Sequence, residues 1–295
     1  MEFWSRRRLS TNLIGLLLLL IGWLVLGSLA ATLLSGLGPM SIWSSPIQYG
    51  ALLVVTLAVC RWYDGMPAAW VGLGLQRWTV HEGVTGLALG AGMAAVAWLP
   101  SALLGGVSRG GPGGGWLIWI GLISLSAAGE EILFRGYIFQ RIMEMIGPTA
   151  ATLLLSAGFA LAHATNPNVT PMSLGVIFLG GIFFSLCYLR SGSLWLPIGA
   201  HLAWNMALGK VLGLPVSGQD FGGSLLRTAV VGPDFITGGA FGPEGGAAAI
   251  AALAIGIALV SRGRLVDLSP YTHARVFRAF HRRQREKDMS QPLQQ

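Results

Sequence analysis

Apolar residues along this chain collect in eight stretches, near 13–37, 46–60, 84–104, 117–140, 149–164, 173–189, 194–212 and 246–261. An α-helix needs about 20 predominantly apolar residues to cross the hydrocarbon core of a bilayer, and several of these stretches have that length. In lipid every backbone N–H and C=O must find its partner within the protein, which leaves helices as the element such runs can form. The pattern therefore predicts an all-α fold, a polytopic membrane helix bundle of about eight transmembrane helices. "GGVSRGGPGGG" at 105–115 reads as a flexible connection. The longest loop, 213–245, is also Gly-rich, and its apolar patch "LLRTAVV" is expected to lie on the membrane surface. Beyond Arg262 the chain turns basic, and "HARVFRAFHRR" fits a short interfacial helix.

Composition agrees with a membrane protein. Hydrophobic residues make up 53% of the chain and charged ones only 11%, against about 25% charged in an ordinary soluble protein. The mean hydropathy is +0.65. Arg6–Arg8 precede a first apolar run too long for the core of a signal peptide, so this run is expected to be retained as the first helix. The net charge of +7 comes from basic clusters at the two ends. Such flanks anchor membrane helices, and no nucleic-acid partner is expected. With both termini in the cytoplasm, sixteen of the 19 Lys and Arg fall on the inner side and only Arg109, Lys210 and Arg227 outside. That asymmetry favours an integral, multi-pass protein with both termini cytoplasmic, expected in the plasma membrane of a bacterium. Cys60 and Cys187 sit in apolar spans without CxxC spacing and are expected to be free thiols.

Against this background a few polar residues stand out: Glu130 and Glu131 with Arg135 in "EEILFR", His163 in "FALAH", and His201 with Asn205 in "HLAWN". Ionisable groups in a span are costly and usually face the bundle interior, where they serve function. Lys210, near a helix end, is expected to snorkel to the interface. Each polar residue alone has a bland reading as a helix-to-helix hydrogen bond or an internally neutralised pair. Their convergence argues otherwise. Gly147 and Pro148 suit the end of one helix and the start of the next. Glu130 and His163 lie 17 and 16 residues from Gly147 on either side, about 25 Å along each helix. An antiparallel hairpin therefore sets them at one depth, and His201 is expected near the same level, in the cytoplasmic half of the membrane. Arg141 and Glu144, in the last two turns before Gly147, are expected to project from the bilayer. At i, i+4, Arg135 can neutralise Glu131, which leaves Glu130 turned about 100° away and free to face another helix. A carboxylate, imidazoles and a donor pair in an apolar pocket are the parts needed to hydrolyse an amide with water.

The three motifs, in this order and separation, resemble the EExxxR, FxxxH and HxxxN motifs of the type II CAAX-processing and bacteriocin-processing intramembrane proteases, the CPBP family. The resemblance runs from about Ala127 to Met206 and implies a division of the chain into N-terminal transmembrane helices (1–115), a catalytic core (116–212), and an outer loop, last helix and basic tail (213–295). It implies an intramembrane endopeptidase acting on a membrane-associated peptide or protein, including lipid-modified ones. By resemblance, the catalytic residues are Glu130 and His163, which activate the water, and His201 and Asn205, which stabilise the oxyanion, with Glu131 and Arg135 in support. A metal-free mechanism is expected. The family has also been called a metalloprotease, and if zinc were used its ligands would be Glu130, His163 and His201. An ion-coupled transporter and a non-proteolytic scaffold or immunity protein are the rival functions that the same polar residues would fit.

Overall fold

The computed structural model describes residues 9–34, 40–75, 77–111, 116–263 and 265. Eight helical segments coincide with the eight apolar stretches: α1 (Leu9–Leu34), α2 (Met40–Ala58), α3 (Thr79–Leu103), α4 and α5 (Trp116–Glu131 and Tyr137–Ile146), α6 (Pro148–Ala162), α7 (Pro171–Ser191), α8 (Trp195–Asn205) and α10 (Ala247–Ser261). A one-turn helix, α9 (Asp234–Thr237), lies in the long loop. Four continuous helices are long and apolar enough to cross a membrane: Leu9–Leu34, Thr79–Leu103, Trp116–Ile146 and Pro171–Ser191. The chain is an integral membrane protein with an all-α bundle fold. The basic clusters at both ends and the "HARVFRAFHRR" segment lie outside the described residues.

Local chemistry sets the helix boundaries. Gly147 ends α5 and Pro148 opens α6, as expected from the sequence. "TPMS" opens α7 with a reciprocal cap: the Thr170 hydroxyl accepts from the Ser173 amide, and the Ser173 hydroxyl accepts from the Thr170 amide. Gly192, in the left-handed conformation, closes α7. Three π-helical turns, Val59–Tyr63, Ile132–Gly136 and Met206–Leu212, extend α2, join α4 to α5 and extend α8.

The helices that position the site are packed backbone to backbone. α3 runs against α8, and a Cβ added at Gly86 or Gly90 would lie 2.3 or 2.1 Å from the carbonyl oxygens of Leu196 and Ala200. Only glycine allows that approach, which brings α3, from outside the expected core region, up to the helix carrying His201. α7 packs against α6, α8 and α10.

Leu226–Thr228 (β2) of "LLRTAVV" pairs antiparallel with Val107–Arg109 (β1) of the Gly-rich connection. Arg141, expected to project from the bilayer, is not exposed. It is fully buried, 2.5 Å from Asp64 and 3.1 Å from both Asn12 and Glu144, with the Trp70 and Tyr137 rings on its guanidinium. This cluster ties α1, α5 and the segment after α2 together. Arg141→Ala removes the cation from buried partners, so it is expected to destabilise the protein by about 3 kcal/mol. Thermal melts in detergent check this, and an unchanged melting temperature would show that the cluster contributes nothing.

Candidate active site

α4 carries Glu130 and Glu131 in its last turn, and the π turn that follows begins at Ile132. π turns inside α-helices mark functional sites often enough to direct attention here. Glu131 and Arg135 are both fully buried and form the expected i, i+4 ion pair, with Arg135 Nη1 donating to Glu131 Oε1 at 3.1 Å. Arg135 Nη2 donates to the Gly181 carbonyl of α7 at 3.0 Å, and Nε reaches the Ser185 hydroxyl at 3.5 Å. The Phe159 and Phe184 rings cover the guanidinium, with centroids 4.6 and 5.4 Å from its carbon. A cation held this way is neutralised by a carboxylate, capped by a carbonyl and shielded from lipid by aromatic faces.

His201 of α8 joins this cluster. Its Nδ1 lies 2.9 Å from Glu131 Oε1. An ionised carboxylate only accepts, so Nδ1 carries a proton, and the bond fixes the tautomer and the ring orientation. The other nitrogen, Nε2, faces Glu130 Oε2 at 3.8 Å. That separation is too long for a direct hydrogen bond, yet one water can bridge it. Glu130 Oε1 accepts from the Ser126 hydroxyl at 3.2 Å and the Tyr49 hydroxyl at 3.4 Å, whereas Oε2 is buried with no hydrogen-bond partner in the protein. The two adjacent glutamates differ in their partners: Glu131 is held by Arg135 and His201, both through Oε1, whereas Glu130 accepts only from hydroxyls, and Oε2 of each is buried without a hydrogen-bond partner in the protein.

His163 caps the C-terminal end of α6, half-buried, and its Nδ1 is 2.8 Å from the Phe159 carbonyl. A carbonyl accepts, so Nδ1 is again the protonated nitrogen and Nε2 of the neutral ring is left with a lone pair. No hydrogen bond joins His163 to Glu130 among the described residues. The Phe159 ring packs edge-on against both imidazoles, 4.8 Å from His163 and 6.1 Å from His201 between centroids, and Phe184 stacks on His201 at 4.7 Å. Both histidines line one cavity of about 40 Å³ with Ser217 and Glu244, and its remaining walls are mostly apolar. That volume holds a few water molecules. Asn205, four residues after His201, ends α8 half-buried, directly before the π turn Met206–Leu212.

Other positions differ from expectation. Because His163 sits at the end of α6 remote from Gly147, the cavity runs toward the loops 163–170 and 213–245, away from the Gly147 end. Lys210 does not snorkel. It is fully buried, donating to the Phe221 and Gly222 carbonyls at 3.4 and 2.5 Å with the Trp116 and Trp119 rings near its ammonium. Sequence reasoning missed Glu244, whose carboxylate accepts from Trp204 Nε1 at 2.8 Å and from the Ser217 amide and hydroxyl at 2.5 and 2.8 Å. It latches the long loop onto α8 and walls the cavity. Tyr49 was missed as well, while Ser126, one helical turn before Glu130, was readable from its i, i+4 spacing.

Among the described residues, no group of three or more His, Cys, Asp and Glu side chains is arranged to hold a metal ion. Glu130 and His201 face each other, but Phe159 packs on both imidazoles and Glu131 is engaged by Arg135. The donors as arranged do not fit a zinc ion with three protein ligands, and no step below uses one.

Residues 112–207 match the sequence profile of the family described as type II CAAX prenyl endopeptidase Rce1-like. The match covers about a third of the chain, and through this segment the chain is similar to the Rce1-like family. The matched residues contain Glu130, Glu131, Arg135, His163, His201 and Asn205, and exclude α1 to α3 and everything after residue 207. The match supports, at the level of the family, a CAAX-type intramembrane protease activity toward peptide or protein substrates. Comparison with curated proteins gives no match, and comparison with solved structures gives none.

Proposed function

We propose that the chain is an intramembrane endopeptidase in which Glu130 is the general base toward water. The observation that carries this reading is the buried Oε2 of Glu130, which has no hydrogen-bond partner in the protein and faces His201 Nε2 at 3.8 Å, while the Glu131 carboxylate is held by Arg135 and His201. In the proposed reaction Glu130 Oε2 takes a proton from a water molecule as the water oxygen attacks the scissile carbonyl. The His163 Nε2 lone pair helps orient that water from the cavity. Protonated His201, held by Glu131 through Nδ1, donates from Nε2 to the developing oxyanion, with Asn205 on the same helix face as a second donor. Collapse of the tetrahedral intermediate breaks the C–N bond, and the proton held by Glu130 passes to the leaving amine. Preorganised donors in a site screened from bulk water are worth far more than the same groups in water, which is what the buried cluster supplies.

The test is peptide release. Wild type and Glu130→Gln, reconstituted in proteoliposomes, are offered a library of internally quenched membrane-proximal peptides. Cleavage that needs Glu130 separates a protease from a scaffold or a transporter. Cleavage that persists without it would refute the base assignment.

We further propose that both termini face the cytoplasm, from the distribution of Lys and Arg. The cavity then opens on the outer side, with loop 213–245. Cys60 and Cys187 are buried, so single added cysteines can be read against a silent background. An impermeant thiol reagent applied to intact cells is expected to label Asp220→Cys, at an exposed loop position, and not Ser290→Cys. The opposite pattern would invert the orientation.

A further inference from the structure

We infer that Tyr49, on α2 and outside the family-matched segment, is a positioning residue for Glu130; the inference rests on the proteolytic reading above. A free carboxylate has two equivalent oxygens and rotates to exchange them. Here both available donors, the Tyr49 hydroxyl at 3.4 Å and the Ser126 hydroxyl at 3.2 Å, converge on Oε1 alone. They break the equivalence, fix the plane of the group, and leave Oε2 as the oxygen turned to His201 Nε2. Proton abstraction needs an acceptor within about 2.6–3.2 Å of the water and correctly aimed, so fixing the plane serves the chemistry directly.

The backbone is shaped to admit this tyrosine. A Cβ added at Gly129 would lie 2.1 Å from Tyr49 Cγ and 2.6 Å from its Cβ. The residue immediately before Glu130 is thus side-chain-free where the Tyr49 ring crosses α4. Packing alone would be served by any apolar pair filling that space; the polar end of the ring, meeting the Glu130 carboxylate, is what packing does not require. α2 would in this way reach into a site whose recognised residues all lie on α4, α6 and α8.

The experiment uses the full-length protein in proteoliposomes and the internally quenched peptide that wild type cleaves fastest. Tyr49→Phe keeps the ring and removes the hydroxyl. It is expected to lower kcat about tenfold, the scale of one hydrogen bond to a charged group, with KM and melting temperature at wild-type values. Ser126→Ala is expected to act in the same direction, and the double variant to lose more than either single one. Wild-type kcat in Tyr49→Phe, beside an inactive Glu130→Gln, overturns the inference and leaves the proteolytic reading standing. So does a raised KM at unchanged kcat, which would make Tyr49 a substrate contact, or a kcat loss that follows the loss of folded protein. A Glu130→Gln protein that cleaves as wild type, or a wild type that cleaves nothing, brings down the proteolytic reading itself.

Discussion

Glu130→Gln is expected to lower peptide hydrolysis by at least about a hundredfold, the ordinary contribution of a general base. The amide keeps the size and the Oε1-type acceptor that Ser126 and Tyr49 use, and removes the proton acceptor at Oε2. Because Glu130 Oε2 bonds to no other protein group, its loss leaves no buried partner stranded. The variant should therefore accumulate in the membrane and melt as wild type does. Initial rates on the reconstituted protein, with a melt on the same preparation, check both halves. A variant that is inactive only because it is unfolded would remove the support for a catalytic role.

The second glutamate should fail in the other way. Glu131→Ala takes the carboxylate hydrogen-bonded to Arg135 out of a fully buried pair and also frees His201 Nδ1. Breaking one partner of a buried ion pair costs about 3–5 kcal/mol, because the remaining charge has no water to turn to. Gly181 and Ser185 still accept from Arg135, which tempers the loss without supplying a counter-charge. Activity should disappear together with thermal stability. Replacing Glu131 and Arg135 jointly with neutral residues is expected to recover part of the stability and none of the activity, since His201 stays untethered. Melts of wild type, Glu130→Ala, Glu131→Ala and the double variant decide this. If Glu130→Ala is the less stable single variant, or the double change recovers nothing, the division between a reactive and a structural glutamate is wrong.

The helices were legible in the sequence because lipid enforces a simple pattern, an apolar run for each crossing. The polar residues of the candidate site were legible for the same reason: charge at positions such as Glu130, Glu131 and Arg135 has no cheap explanation inside a span. Illegible were the contacts made across the chain. Tyr49 meets Glu130 at a separation of 81 residues, and nothing in "SPIQYG" distinguishes it from an interfacial aromatic. Glu244 lay in a Gly-rich loop, where a lone acid reads as solvated, until the fold brought Trp204 and Ser217 to it. Lys210 and Arg141 were misjudged because a basic residue near a helix end normally reaches water, whereas loop carbonyls and the Asp64 cluster meet these two inside the protein. The β1–β2 ribbon spans only three residues on each strand, too few to leave an alternating signature.

The π turn at Ile132–Gly136 gives the Trp116–Ile146 helix an extra residue in its winding. Upstream of it, Glu131 is turned toward His201; downstream, Arg141 is turned toward Asp64. Winding these same residues as an ordinary α-helix would rotate one end against the other by about 100°. A uniform helix could then aim at one of the two polar centres and would present an apolar side chain to the other. The bulge works as a phase shifter, letting a single rod engage two partners that do not share its period.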